Sequence, residues 1–317
     1  MTKVTLLAGG VGGAKMAEGF AALPDVELTI IGNVADDDDF HGLWVSPDID
    51  TMLYTLSGRI NRAQGWGVAD EGRRALDTLG ELGADTWMFL GDRDFGLHIY
   101  RTERLKRGDR PSVITTDMTR AFGIGPRIVL PTDDRVQTRV ETAEGWLSFQ
   151  EYFVRERCAP EVTALRIEGL GTATPAPEAL EAIEAADVIV IAPSNPLVSI
   201  QPILGIPGIA AAVQGAVAPV LAVSPLIAGR VVKGPADRMM TALGMRADVV
   251  GVAECYAELA DTLFIDTADA GLADAVAETG PRPVVTDILI PDPENKARLA
   301  REILSQAADG REREAAE

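Results

Sequence analysis

The chain has 317 residues, 47% hydrophobic and 24% charged, with a formal net charge of -19, which is enough for one large or two modest domains of an ordinary globular protein. No apolar stretch nears the roughly 20 residues of a membrane span, glycines break the short run after Lys3 too early for a secretory leader, and a nucleic-acid partner would need clustered Lys and Arg. Cys158 and Cys255 have no CxxC companions, and His41 and His98 are the only histidines, which excludes a disulfide framework and sites built from several imidazoles.

A cytoplasmic enzyme-sized protein is therefore expected, without membrane or nucleic-acid partners. From the N-terminus, Lys3 to Ala8 reads as a short strand, Ala14 to Leu23 as a helix and Glu27 to Val34 as a second strand, a β-turn-α-β opening. The turn GGVGGAK, from Gly9 to Lys15, can offer free N–H groups to a phosphate at a helix start; the alternative is a glycine turn needed only for packing. It is not the dinucleotide fingerprint, because the third glycine would fall at Lys15, and strand two ends in Asn33 where an acidic ribose ligand is usual. A Walker loop is excluded by spacing and by the missing Ser or Thr after the lysine.

Behind the second strand, NVADDDDFHGLWVSPDIDT carries six aspartates between Asn33 and Thr51. A run such as Asp36 to Asp39 can be a solvated acidic loop. Its position at the carboxyl end of a buried strand favours a ligand site, and Asp48 and Asp50 follow after Ser46-Pro47. Two carboxylates from different loops, completed by substrate phosphates and water, are a usual way to hold magnesium. Thr86 to Leu90 is expected as a further strand leading into LGDRDFGLHIYRTERL. There Asp92, Arg93 and Asp94 form either an internal ion-pair network or part of the site, and Phe95 and Tyr100 belong to a core or stack on a flat ring.

The stretch 93–166 reads as an inserted α+β subdomain, with a helix at Pro111 to Phe122 and a hairpin between Arg135 and Phe149 about Glu144-Gly145. Asp187 to Ala192, Pro219 to Ser224, Thr262 to Asp266 and Pro283 to Asp287 are continuous apolar strands alternating with helical stretches. Strands apolar on both faces indicate an α/β fold with a doubly wound, Rossmann-like, mostly parallel sheet. The nucleotide- and metal-binding core is expected over 1–92 and 167–308, with a frayed tail at 309–317. Ser194, Asn195 and Ser199 follow one strand, either as helix caps or as a rigid polar loop. Arg230 and Lys233 follow the next and can meet an anion.

In chain order GGVGGAK, NVADDDDFHG, SPDIDTMLYTLSG, LGDRDFGLHIYRT, AFGI, TDDRVQTRVETAEGWLSFQEYFV, SNPLVSIQPILGIPGI and SPLIAGRVVKGPAD together resemble the 2-phospho-L-lactate transferase (CofD) family of coenzyme F420 biosynthesis. The resemblance implies a homodimer and a magnesium-dependent transfer. A guanosine-diphosphate-activated three-carbon acid (phospholactyl, phosphoenolpyruvyl or phosphoglyceryl) loses GMP as it joins the ribityl hydroxyl of Fo, a deazaflavin. It also implies catalytic and metal duty for Asp50, with Asp36 or Asp37 as the partner ligand. Gly10, Gly12, Gly13, Lys15, Ser194, Asn195 and Lys233 would hold the guanosine diphosphate. Asp48, Asp92, Arg93, Leu97 and His98 would face the substrate, and the inserted stretch would help bind the deazaflavin. The all-acidic DDDD departs from the family, which often places an apolar or aromatic residue after the first acidic pair. The competing expectations are a nucleotide-sugar-binding regulatory protein of the same superfamily and a nicotinamide-dependent oxidoreductase. The PDIDT and LGDRDFGLH segments speak against the first, Lys15 and Asn33 against the second.

Overall fold

A computed structural model describes residues 1–314, with side chains through Ala308. Seven parallel strands form its central sheet: β1 (Thr2–Ala8), β2 (Val26–Gly32), β3 (Arg127–Val129), β4 (Val188–Ile191), β5 (Val220–Val223), β6 (Thr262–Asp266) and β7 (Arg282–Thr286). Their spatial order is 3-2-1-4-5-6-7. Consecutive residues of β1, β4, β5 and β6, such as Leu6-Leu7 and Ile189 to Ile191, are inaccessible to solvent, so both faces of the sheet are covered, as continuous apolar strands require. The order reverses between β1 and β4, and this reversal opens a crevice at the carboxyl ends of the strands.

Helix α1 (Gly10–Ala21) packs against α2 (Pro47–Leu56) and the last helix, Pro293–Glu314. The approach to the last helix is close: a Cβ on Gly19 would stand 2.5 Å from the Lys296 carbonyl oxygen. Glu18 ties the same helices together, accepting from Lys296 Nζ at 2.6 Å while also pairing with Arg62 at 2.7 Å.

Several expectations change. Thr86 to Leu90 forms no strand. Leu90 joins Phe40, Val45, Leu76 and Phe95 in a small separate cluster, with Trp87, Met88 and Phe89 packed against it; a continuous apolar run marks burial without fixing which element is buried. The second half of the aspartate run is no simple loop: Asp38–Phe40 and Leu43–Val45 pair antiparallel. They turn at His41-Gly42, both with positive φ (55° and 75°), the backbone that a two-residue hairpin demands.

Within 93–166 lie α3 (Asp92–Lys106), whose first residue falls just before it, α4 (Pro111–Ala121) and β3, which sits in the central sheet beside β2. An antiparallel sheet of Gly145–Ser148, Gln137–Thr142 and Ala164–Glu168 follows, containing the hairpin expected about Glu144-Gly145. The final helix carries its backbone into the stretch expected as a tail, and residues 315–317 lie outside the described residues. Among the described residues no helix is long and apolar enough to cross a membrane.

Candidate active site

The ends of β1, β2 and β4 lie level, since Asn33 N–H donates to the Ala8 carbonyl and Ala192 N–H to that of Leu7, each at 3.0 Å. The loops that leave them therefore converge at the switch point, around a cavity of about 810 Å³. Gly10, Gly12 and Lys15 line it from the start of α1. Gly10 has φ +60°, the left-handed region that glycine adopts freely. A Cβ on Gly12 would stand 2.1 Å from the Pro193 carbonyl oxygen, so bare backbone is what lets α1 meet the loop after β4.

That loop is clasped to the glycine turn. Ser194 Oγ donates to the Gly9 carbonyl at 2.8 Å and accepts from Gly9 N–H at 3.3 Å. Asn195 accepts from Leu197 N–H at 3.0 Å, capping a π-helical turn at Pro196–Ile200, while its Nδ2 faces the Met239 sulfur at 3.7 Å. Both residues line the cavity, yet each already serves the backbone. Lys15 and Lys233 also line it, and neither is in a salt bridge among the described residues. Burial lowers the pKa of each, and the neighbouring ammonium lowers it further: Lys296 for Lys15, Lys15 for Lys233. Lys233 Nζ donates to the Gln64 carbonyl. The helix-start amides not already taken by Ser194 and Asp48, with the Lys15 and Lys233 ammoniums, make an anion site.

Asp36, Asp48 and Asp50 line the cavity and are buried, whereas Asp37 is buried but does not line it. Asp37 Oδ2 accepts from Ser46 Oγ at 2.7 Å and from the Trp44 indole at 3.2 Å. Asp36 and Asp37 each keep one buried oxygen without a hydrogen-bond partner. Burial first, then the Asp48 and Asp37 charges, raise the Asp36 pKa far above the carboxylate range; burial also raises Asp37, and Asp48 to about 6. Asn33 steadies Asp48 by donating to its Oδ2 at 3.0 Å and to the Val198 carbonyl at 3.2 Å. The antiparallel sheet and the turn after it hold the acidic backbone: Gln137 Nε2 reaches the Asp37 carbonyl at 2.8 Å and Gln150 Nε2 that of Asp36 at 3.3 Å.

An unpartnered oxygen on Asp36 beside the Asp48 carboxylate fits a hard cation. Among the described residues no three His, Cys, Asp or Glu side chains are arranged to hold a metal by themselves, so water and substrate oxygens would complete the shell, as magnesium favours.

Asp50 is engaged differently. Arg101, on α3 and 4% exposed, grips both of its oxygens. His98 lines the cavity between Asp50 and Asp94, its Nδ1 3.7 Å from Asp50 Oδ2 and its Nε2 3.3 Å from Asp94 Oδ1. Tyr54 donates to Asp94. Gly13, Asp92, Arg93 and Leu97 do not line the cavity. Asp92 accepts from Ala75 N–H and Arg74, Arg93 is exposed and donates to the Ala69 carbonyl, and Leu97 is in the main core. The sequence reading did not single out Arg101 or Tyr54, and it used Asn33 only as evidence against a dinucleotide site. The signal was a spacing: Asp94, His98 and Arg101 at i, i+4, i+7 share one helix face, as do Asp50 and Tyr54 on α2. Trp66, Trp87, Phe89, Phe149 and Phe153 add an aromatic wall.

A family model described as 2-phospho-L-lactate transferase CofD matches residues 4–306. A phosphoenolpyruvate transferase of Streptomyces griseus is 40% identical over 98% of this chain and 99% of its own, and one of Kitasatospora aureofaciens 42% over 96% and 98%. A 2-phospho-L-lactate transferase of Methanopyrus kandleri is 40% identical over 95% of this chain and 96% of its own. A crystallised Bacillus halodurans protein, 17% identical, shares the fold with a TM-score of 0.63 over 96% of this chain and 99% of that one.

Proposed function

Because the chain belongs to the 2-phospho-L-lactate transferase (CofD) family, we propose that it moves a phosphoenolpyruvyl group from a guanosine-diphosphate-activated donor to the ribityl hydroxyl of Fo, releasing GMP, in coenzyme F420 biosynthesis. The observation that carries the proposal is the joining, in one cavity, of an anion site, buried carboxylates of which Asp36 keeps an unpartnered oxygen, and an aromatic wall. The names of the Streptomyces and Kitasatospora relatives support the phosphoenolpyruvyl group. A phospholactyl group is the second reading, favoured by the Methanopyrus relative.

The start of α1, Lys15 and Lys233 take the diphosphate, the free amides and ammoniums offsetting its charge. The aromatic wall takes the deazaflavin ring by stacking. Asp36 and Asp48 would hold magnesium, which would supply charge neutralisation at the diphosphate. Asp37, expected as a ligand, stands behind the wall and fixes Trp44 and Ser46. Asp50 faces the acceptor hydroxyl, orients it toward the phosphorus that bears the acid, and receives its proton. Such a transfer asks for position and charge rather than covalent work by the protein.

The test incubates protein, Fo and magnesium with the guanylylated form of each three-carbon acid and follows products by mass spectrometry. An enolpyruvyl-phospho adduct of Fo with stoichiometric GMP is expected. A preference for the phospholactyl donor would select the second reading. GDP binding with no Fo adduct from any donor would discard the transferase in favour of a nucleotide-binding regulator.

A further inference from the structure

We propose that Arg101 is a positioning residue that acts through Asp50, fixing the direction of its carboxylate; its kinetic test rests on the transferase reading above, while its spectroscopic tests do not. Arg101 does not line the cavity, whereas Asp50 does. Any influence of Arg101 on a ligand therefore passes through its partner.

The acidic segment buries Asp36, Asp37, Asp48 and Asp50, and among the described residues only Asp50 forms a salt bridge with a permanent cation. The guanidinium meets both oxygens, Nη1 on Oδ2 at 3.2 Å and Nη2 on Oδ1, while Ser46 N–H adds a bond to Oδ2 at 3.3 Å. Arg101 is itself held, with Nη1 3.4 Å from the Trp44 carbonyl and 3.4 Å from His98 Nδ1. A guanidinium can only donate, so Nδ1 accepts and the imidazole proton sits on Nε2, the side of Asp94, which in turn accepts from Tyr54. The result is a ladder between α2 and α3 in which the Arg101–Asp50 fork is joined to His98, whose Nε2 lies 3.3 Å from Asp94 without a hydrogen-bond partner of its own, and Asp50 cannot rotate without breaking the fork. A planar fork fixes a carboxylate in a way that a point charge cannot.

Arg101→Lys separates charge from geometry. It keeps the countercharge but frees one Asp50 oxygen, which can then reach a cation in the cavity. With Fo and the preferred donor, kcat should fall about 100-fold while both KM values stay within about twofold, the signature of lost orientation. In substrate-free protein, Mn2+ followed by paramagnetic resonance should bind about tenfold more tightly. Lower turnover with tighter metal is a pairing that partial unfolding does not produce. Wild-type kcat would overturn the proposal, as would parallel loss of turnover and Mn2+ binding. If no donor is turned over by the wild type, the transferase reading fails, and unchanged Mn2+ affinity in Arg101→Lys would still overturn this one. Nitrogen NMR of the wild type, which has only His41 and His98 to assign, should show His98 as the Nε2–H tautomer at pH 8; the Nδ1–H tautomer would overturn the ladder whatever the variant's folding.

Discussion

Gly12→Ala adds one methyl where α1 comes closest to the loop after β4. The new carbon would stand 2.1 Å from the Pro193 carbonyl oxygen, against an ordinary separation of about 3.5 Å, so helix and loop must part by about 1.4 Å. The obstacle is backbone, not the end of a flexible side chain, and overpacking of this kind costs about 1–3 kcal/mol. In a chain of this length that is roughly 1.5–5 °C in the thermal midpoint. The two surfaces forced apart are walls of the proposed diphosphate site, and misplacement on the order of 1 Å costs about 100-fold in turnover. Thermal denaturation and GDP titration calorimetry, run side by side, read both effects. Gly10→Ala is the control: no atom lies within 4 Å of its Cβ, but φ is +60°, so it should lose about 1–2 kcal/mol from left-handed strain without displacing Pro193. If Gly12→Ala melts within about 1 °C of wild type and binds GDP equally well, the close-approach argument is wrong.

Burial raises Asp36, Asp37 and Asp48, the last to about 6. The folded protein thus binds protons there more tightly than the unfolded chain, and the Asp48 share of this contribution to stability, complete below about pH 4, is lost as pH rises through 6. The metal-free protein should therefore melt lower at pH 7 than at pH 5, and magnesium should restore the midpoint at pH 7 but not at pH 5; a flat profile would contradict the assignment. Lys15→Met and Lys233→Met should each weaken GDP binding about tenfold or more, the worth of a charge-assisted hydrogen bond, with the melt little changed. Asn33→Ala removes the donors to Asp48 and the Val198 carbonyl and should cost about 2–4 kcal/mol, visible in chemical denaturation.

Much of the sheet was legible because β1, β4, β5 and β6 are apolar on both faces, a pattern that a buried parallel strand writes directly into sequence. β3 was not: three residues from Arg127 to Val129, inside a stretch of different texture, give no periodicity to read. Thr86 to Leu90 misled for the opposite reason, since its apolar residues cover a satellite cluster and line the cavity. In the candidate site the glycine turn with Lys15, Asp36, Asp48 and Asp50 are legible from position at strand ends and His98 from the family resemblance, and the structure places them around one cavity. Arg101 was passed over because a lone arginine in a charged helix looks like surface charge, and only its contact with Asp50 shows otherwise. Asn33 was read for what it is not, an acidic ribose ligand, and its grip on Asp48 exists only once α2 is folded back.

The contact of Glu18 with Lys296 spans 278 positions in the chain. At about 5–20 residues per second of synthesis, roughly 14 to 56 s separate the emergence of the two partners. Throughout that interval α1 must wait without the helix that packs against Gly19 and supplies one of the charges beside Lys15. The proposed nucleotide end of the site, although encoded near the start of the chain, is among the last parts of the protein to be finished. A nascent chain arrested before the final helix would present the βα opening with its apolar back uncovered, a form for chaperones to hold rather than for nucleotide to bind.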